Sequence, residues 1–181
     1  YTLPVASAQV KSAILLAGLY ADGITTVKEP AITRDHTERM LLTMGVEIDK
    51  TERRISMRGA QTLTARDIKV PADLSSASFV MLAAILSEAA EVLIEGVGVN
   101  PTRTGVLNIL RAMGADIEIL NQRDVGGEPV ADLRVRSAPL KGIRIPEDQV
   151  PLAIDEFPAL FIAAACADGE TVLSGAEELR V

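Results

Sequence analysis

One helix plan occurs three times in this chain, and no other feature limits its fold as tightly. Ser7-Ala8-Gln9-Val10-Lys11-Ser12-Ala13-Ile14-Leu15-Leu16-Ala17-Gly18 opens on small or polar residues and continues as an apolar, Ala-rich run. Ser75-Ser76-Ala77-Ser78-Phe79-Val80-Met81-Leu82-Ala83-Ala84-Ile85-Leu86 does the same, as does Asp155-Glu156-Phe157-Pro158-Ala159-Leu160-Phe161-Ile162-Ala163-Ala164-Ala165-Cys166. The punctuation between the copies also returns. Met44-Gly45-Val46-Glu47-Ile48 reappears as Met113-Gly114-Ala115-Asp116-Ile117, with Arg34 and Arg103 at the same spacing, and Ala21-Asp22-Gly23 reappears as Ala167-Asp168-Gly169. Apolar helices alternating with short β-branched stretches predict the α/β class. The repeat is unlike the common solenoid units, so the chain reads as a small α/β module used several times.

Within the first copy, residues 1–5 read as a strand, 7–20 as a helix stopped at Asp22-Gly23, and 24–28 as a β-branched strand. Asp35 and Glu38 stand at capping-box spacing ahead of a second helix that ends at Gly45. Residues 46–49 and 54–57 predict a hairpin around Glu52-Arg53, and 68–70 one more strand. The second copy predicts helices over 75–86 and 102–113 and a strand over 92–95. It adds strands over 116–120 and 132–135, either side of a Gly126-Gly127 turn. A third copy starts at Asp155. Lys69-Val70-Pro71-Ala72-Asp73 falls between copies, and Pro71 makes it the expected hinge. Tyr1 opens inside a strand-like stretch without Met, so the chain is expected to be a fragment or a processed piece.

Composition narrows the function. At 48% hydrophobic and 24% charged the chain is globular rather than disordered. A net charge of −7 argues against a nucleic-acid surface while leaving room for a local basic pocket. Its apolar runs are too short to span a bilayer, and no signal peptide opens it. Cys166 is the single cysteine and reads as a small core residue in a reducing compartment. One His and one Cys leave no His/Cys metal set. The chain has no Walker loop, dinucleotide fingerprint or nucleophile elbow.

Candidate binding residues sit at helix starts. Ser7 predicts an N-cap, which puts Gln9 in the first turn, where free N–H groups can hold an anion. Arg34 lies at the start of its helix, where the macrodipole disfavours a cation. Either it faces an anionic ligand shared with the Ser7 helix start, or it pairs with Asp35 or Glu38. Arg103 has the same placement and reads as structural. His36 reads as a surface or locally hydrogen-bonded residue. Asp155-Glu156 stands directly before an apolar helix, as an N-cap or as a general base at the mouth of a cleft. Ser75 and Ser76 read as caps.

Four stretches in order carry a specific resemblance. They are Ser7-Ala8-Gln9-Val10-Lys11-Ser12-Ala13, Thr33-Arg34-Asp35-His36-Thr37-Glu38-Arg39-Met40-Leu41, Asp73-Leu74-Ser75-Ser76-Ala77-Ser78-Phe79, and Ile154-Asp155-Glu156-Phe157-Pro158 followed by Glu178-Leu179-Arg180-Val181. Together they resemble the 5-enolpyruvylshikimate-3-phosphate synthases. Ala8 and the Arg34-Asp35-His36 form are similar to the bacterial class II branch. The resemblance covers the middle of the enzyme. The family's N-terminal Lys-Ser-Arg set and its Lys-Glu-Ser-Asp-Arg run are not in this sequence, so the chain alone is expected to be inactive.

The resemblance implies two globular domains built from βαβαββ modules, with helices inside and sheets outside. Residues 1–70 would be one module of the first domain, and 71–181 one module plus the start of another from the second. The hinge between them would close around the substrates. The implied reaction transfers the enolpyruvyl group of phosphoenolpyruvate to the 5-hydroxyl of shikimate 3-phosphate and releases phosphate, by addition and then elimination, without metal or organic cofactor. By motif, Ser7, Ala8 (through its backbone) and Gln9 would hold shikimate 3-phosphate, with Gln9 also facing phosphoenolpyruvate. Arg34 would contact the shikimate phosphate or its surroundings, and Asp155 would be the base near the 5-hydroxyl. A cytoplasmic, monomeric parent enzyme without nucleic-acid or membrane partners is implied. The alternatives are the related UDP-N-acetylglucosamine enolpyruvyl transferase, disfavoured by the Asp-His-Thr-Glu and Ser-Ala-Gln stretches, and a non-catalytic folded piece.

Overall fold

In a computed structural model the chain is described over residues 1–180. Val181, which ends the motif at 178–181, lies outside the described residues, as do the side chains of Glu178 and Arg180. The chain divides into two units, Tyr1–Lys69 with Gly126–Glu128, and Val70–Val125 with Pro129 onward.

The first unit begins at a helix whose cap the sequence specifies. Ser7 is extended (φ −142°, ψ 111°), and its Oγ accepts the Val10 N–H at 3.3 Å. That starts α1 (Ala8–Gly18), followed by β1 (Ile24–Lys28), α2 (His36–Thr43), β2 (Ile48–Thr51) and β3 (Arg54–Arg58). The strands form an antiparallel sheet in the order β1-β3-β2, with Val27 opposite Ile55 and Ile48 opposite Met57. Leu3, Leu15, Leu41 and Val46 close over Val27, Ile55 and Met57 to form the core.

The second unit repeats the plan with α3 (Leu74–Leu86), β4 (Glu91–Gly98), α4 (Gly105–Ala112), β5 (Asp116–Val125) and β6 (Glu128–Arg136). Its sheet runs β4-β6-β5, the same order as the first. After 3-10 turns at Glu147–Gln149 and Ile154–Glu156 comes α5 (Phe157–Cys166), started by Pro158 in its first turn. Met81, Leu110, Leu133 and Phe157 bring α3, α4, β6 and α5 into one core.

The repeated Met-Gly pentapeptide proves to be a helix stop. At the end of α2 the Val46 N–H reaches Leu41 O and the Gly45 N–H reaches Leu42 O; at the end of α4, Ala115 reaches Leu110 O and Gly114 reaches Arg111 O. This is a Schellman pair. It needs a left-handed residue, supplied by Gly45 (φ +89°) and Gly114 (φ +100°), where an L side chain would be strained.

Two expected strands shrink to single bridges. Over residues 1–5 only Thr2 pairs, in parallel with Lys28. Residues 68–70 form no strand, and the pairing moves to Ala72, in parallel with Val97. Pro4 and Pro71 flank these pairings and have no N–H with which to extend a ladder. A third set joins Lys141 to Asp168 and Arg144 to Val172. In each case a parallel pairing links the chain before an apolar helix to the chain after it, as a βαβ crossover requires. Helix α4 also starts later than the spacing predicts. The Asn100 side chain accepts the Thr102 N–H (2.9 Å) and hydroxyl (2.8 Å), forming an Asx turn that keeps Arg103 out of the helix.

Helices α1, α3 and α5 are apolar on the outward face as well. Val10, Leu16, Phe79, Val80, Phe161 and Ile162 are each between 41% and 52% exposed. Cys166 is exposed rather than a core residue, because the buried stripe of α5 ends at Ala163. Among the described residues no helix is long and apolar enough to cross a membrane.

Candidate functional site

The sequence-predicted residues fall in both units. Ser7, Ala8, Gln9 and Arg34 belong to the first, and Asp155 to the second. At the start of α1 the Ser7 hydroxyl donates to Gln9 Oε1 (3.3 Å) while accepting the Val10 N–H. Ala8 is half-buried and Gln9 exposed, so the first turn of α1 presents its backbone and the Gln9 amide outward.

Arg34 is half-buried, and its segment is tied to α1 by a lysine that the sequence reading did not single out. Lys11 lies one turn after Ser7 and is fully buried. Its Nζ lies 2.9 Å from Glu38 Oε1 and 3.2 Å from Glu29 Oε2, and donates to Thr33 O at 3.4 Å. The Thr33 hydroxyl donates to Glu29 Oε2 at 2.7 Å, and the hydroxyls of Ser12 and Thr37 lie 2.7 Å apart. These contacts bracket Arg34 on both sides in sequence. The available signal was a lysine in register with Leu15 and Gly18 on the buried face of α1.

The expected capping box at Asp35 and Glu38 does not form. Asp35 holds the N-cap position of α2 without a side-chain cap bond, and its carboxylate instead takes Arg39 Nε and Lys50 Nζ, both at 2.8 Å. Glu38 turns to Lys11. Bonds to full cations are stronger than bonds to neutral backbone N–H groups, and they win here. His36 Nδ1 lies 2.8 Å from Glu128 Oε1, so its partner is 92 residues away in sequence where a surface or locally hydrogen-bonded histidine was expected.

In the second unit Asp155 is exposed on the 3-10 turn Ile154–Glu156, beside a buried Glu156. The N-cap position of α5 belongs to Glu156, which makes no side-chain cap bond. Ser75 and Ser76 are not the caps of α3 either. Asp73 is, and it accepts both the Ser76 N–H and its hydroxyl at 2.8 Å. Burial opposes ionisation of Asp73, but the Ser76 hydrogen bonds and the Arg103 charge outweigh it and hold the carboxyl below its ordinary value. Ser75 faces inward to Glu156 and Arg103, so Arg103 joins a cluster that the spacing did not reveal. Among the described residues no group of three or more His, Cys, Asp or Glu could hold a metal ion.

Comparison with known proteins supplies the context. The family described as EPSP synthase (3-phosphoshikimate 1-carboxyvinyltransferase) matches residues 1–181. The chain is 65% identical over 181 residues to 3-phosphoshikimate 1-carboxyvinyltransferase of Alkalilimnicola ehrlichii, covering 100% of this chain and 41% of that protein. It is 65% identical to the protein of the same name from Methylococcus capsulatus, with the same coverage. Among solved structures, EPSP synthase from Acinetobacter baumannii superposes with a TM-score of 0.94 at 60% identity, over 100% of this chain and 41% of that one. The enolpyruvyl transferase NikO from Streptomyces tendae shares the fold, with a TM-score of 0.64 at 19% identity over 87% of this chain and 36% of that one. The chain thus spans about two-fifths of the length of these curated relatives.

Proposed function

The chain belongs to the EPSP synthase family, and from that premise we propose that it forms part of an enzyme that transfers the enolpyruvyl group of phosphoenolpyruvate to the 5-hydroxyl of shikimate 3-phosphate. The observation that carries the reading is the family match along the whole chain. The geometry supports it with an open helix start at Ser7, tied through Lys11 to the Arg34 segment, and an exposed carboxylate at Asp155.

In this reading the first turn of α1 binds shikimate 3-phosphate through Ser7, the Ala8 backbone and Gln9, and Gln9 also faces phosphoenolpyruvate. Arg34 adds a charge-assisted bond to the shikimate phosphate or its surroundings. Asp155 takes the proton of the 5-hydroxyl as the oxygen bonds to C2 of phosphoenolpyruvate, whose methylene carbon is protonated. Elimination then breaks the bond from C2 to the phosphate oxygen, releases phosphate, removes a proton from the methyl group and forms the enol ether. Residues 1–70 act as one module of the first domain, and 71–181 supply a module and the start of another in the second. The same reading implies a cytoplasmic, monomeric enzyme that needs neither metal nor organic cofactor.

The test is phosphate release by the full-length protein that contains this chain. Release should require both shikimate 3-phosphate and phosphoenolpyruvate, and UDP-N-acetylglucosamine should not replace the first. Release with UDP-N-acetylglucosamine alone as acceptor would transfer the assignment to the other enolpyruvyl transferase.

A further inference from the structure

The turn that carries Asp155 is gripped by two other helix starts of the same unit. In the first turn of α3, the Ser75 hydroxyl donates to Glu156 Oε1 at 2.5 Å and accepts from Arg103 Nη2 at 2.6 Å. The same Nη2 lies 3.2 Å from Asp73 Oδ1 and 3.8 Å from Glu156 Oε1. The Glu156 side chain is 1% exposed. The start of α4 closes from the other side, where the Gly105 N–H donates to Leu152 O at 3.2 Å. A Cβ on Gly105 would come within 2.8 Å of the Ala153 backbone nitrogen, so the two segments touch backbone to backbone.

A 3-10 turn advances about 120° per residue. Fixing the inward Glu156 side chain therefore fixes the direction in which Asp155 leaves the backbone. Stability alone does not call for such a device, because a buried ion cluster is often no better than apolar residues of equal volume. We propose that the Arg103–Ser75–Glu156 chain is the positioning device of Asp155, holding its carboxylate at the angle that proton transfer from the acceptor hydroxyl requires. The proposal rests on the reading of Asp155 as the general base. Glu156, Ser75 and Arg103 act through Asp155 and do not touch the reacting atoms themselves.

Glu156→Gln and Ser75→Ala, each alone and each combined with Asp155→Asn in the full-length protein, test this with kcat, both KM values and Tm. Asp155→Asn alone should lower kcat by about a hundredfold or more, as loss of a general base does. Glu156→Gln should lower kcat about ten- to hundredfold, the range for a displaced catalytic group, and shift KM for shikimate 3-phosphate by less than about twofold. Ser75→Ala should act in the same direction and serves alone if Glu156→Gln does not fold. On the Asp155→Asn background neither change should lower kcat by more than about twofold, because there is no base left to aim. Equal losses on both backgrounds would overturn the proposal and make the cluster merely structural. Normal kcat in Glu156→Gln and Ser75→Ala beside a severe Asp155→Asn would remove the positioning role and leave the base. Near-normal turnover in Asp155→Asn would remove both.

Discussion

Arg34 is where a single side chain tests the binding reading most directly. It is half-buried, and its segment is anchored at Thr33 to Lys11 and Glu29. Removing a charge-assisted hydrogen bond costs roughly 1.5–3 kcal/mol. In the full-length protein, Arg34→Ala should therefore weaken shikimate 3-phosphate binding about tenfold or more by calorimetry, since about 1.4 kcal/mol is a factor of ten. Tm should barely move, because the core contacts of Leu41 and Val46 are untouched. Unaltered affinity would leave Arg34 an ion-pairing residue. At this scale the sequence is legible only where chemistry is local. The Ser7 cap spans three residues and was readable. The Ser75–Glu156 bond joins residues 81 apart, and no spacing rule reaches that far. The capping box failed for the same reason: Lys11 and Lys50 compete for its carboxylates from other elements.

Helices and turns were more readable than strands. The pentapeptide at 44–48 and 113–117 announced two helix stops because a Schellman pair needs one particular residue, Gly. The edge segments at 1–5 and 68–70 have strand-like composition, yet the first keeps a single bridge at Thr2 and the second none, its pairing moving to Ala72 just after Pro71. Helix α1 hides its key element-level feature behind an apolar pattern. Its Lys11 sits between Glu29 and Glu38 with side-chain exposures of 0%, 2% and 1%. Breaking a buried pair by removing one partner costs about 3–5 kcal/mol, because the other charge stays buried. In the full-length protein, Lys11→Met should thus lower Tm by roughly 3–10 °C. Adding Glu29→Gln and Glu38→Gln should recover most of that loss, since no unpaired charge then remains. A single change that leaves Tm within about 2 °C, or a triple change no better than the single, would show that this cluster does not hold α1 to α2.

Over the whole molecule, two units carry one plan, and each presents an apolar helix face outward. Val10 and Leu16 do so in the first, and Phe79, Val80, Phe161 and Ile162 in the second. The chain spans about two-fifths of the length of its curated relatives. The modular fold was legible because it repeats. Of the candidate site residues, Ser7, Gln9 and Arg34 lie in one unit and Asp155 in the other. Charge then bears on what residues 1–181 do alone. Both substrates in the proposed reaction carry phosphate and repel each other, so gathering them needs a concentration of cations. The chain has a net charge of −7, and several of its cations are engaged within their own unit: Lys11 by Glu29 and Glu38 and Lys50 and Arg39 by Asp35 in the first, and Arg103 by Asp73 and Glu156 in the second. The polypeptide of residues 1–181 by itself should therefore not catalyse the transfer, and phosphate release at high protein concentration should match the control without enzyme. Turnover within the ordinary enzyme range of about 1–10³ s⁻¹ would show that these residues already hold every essential group, and that the substrates' charges are met by cations other than those argued for above.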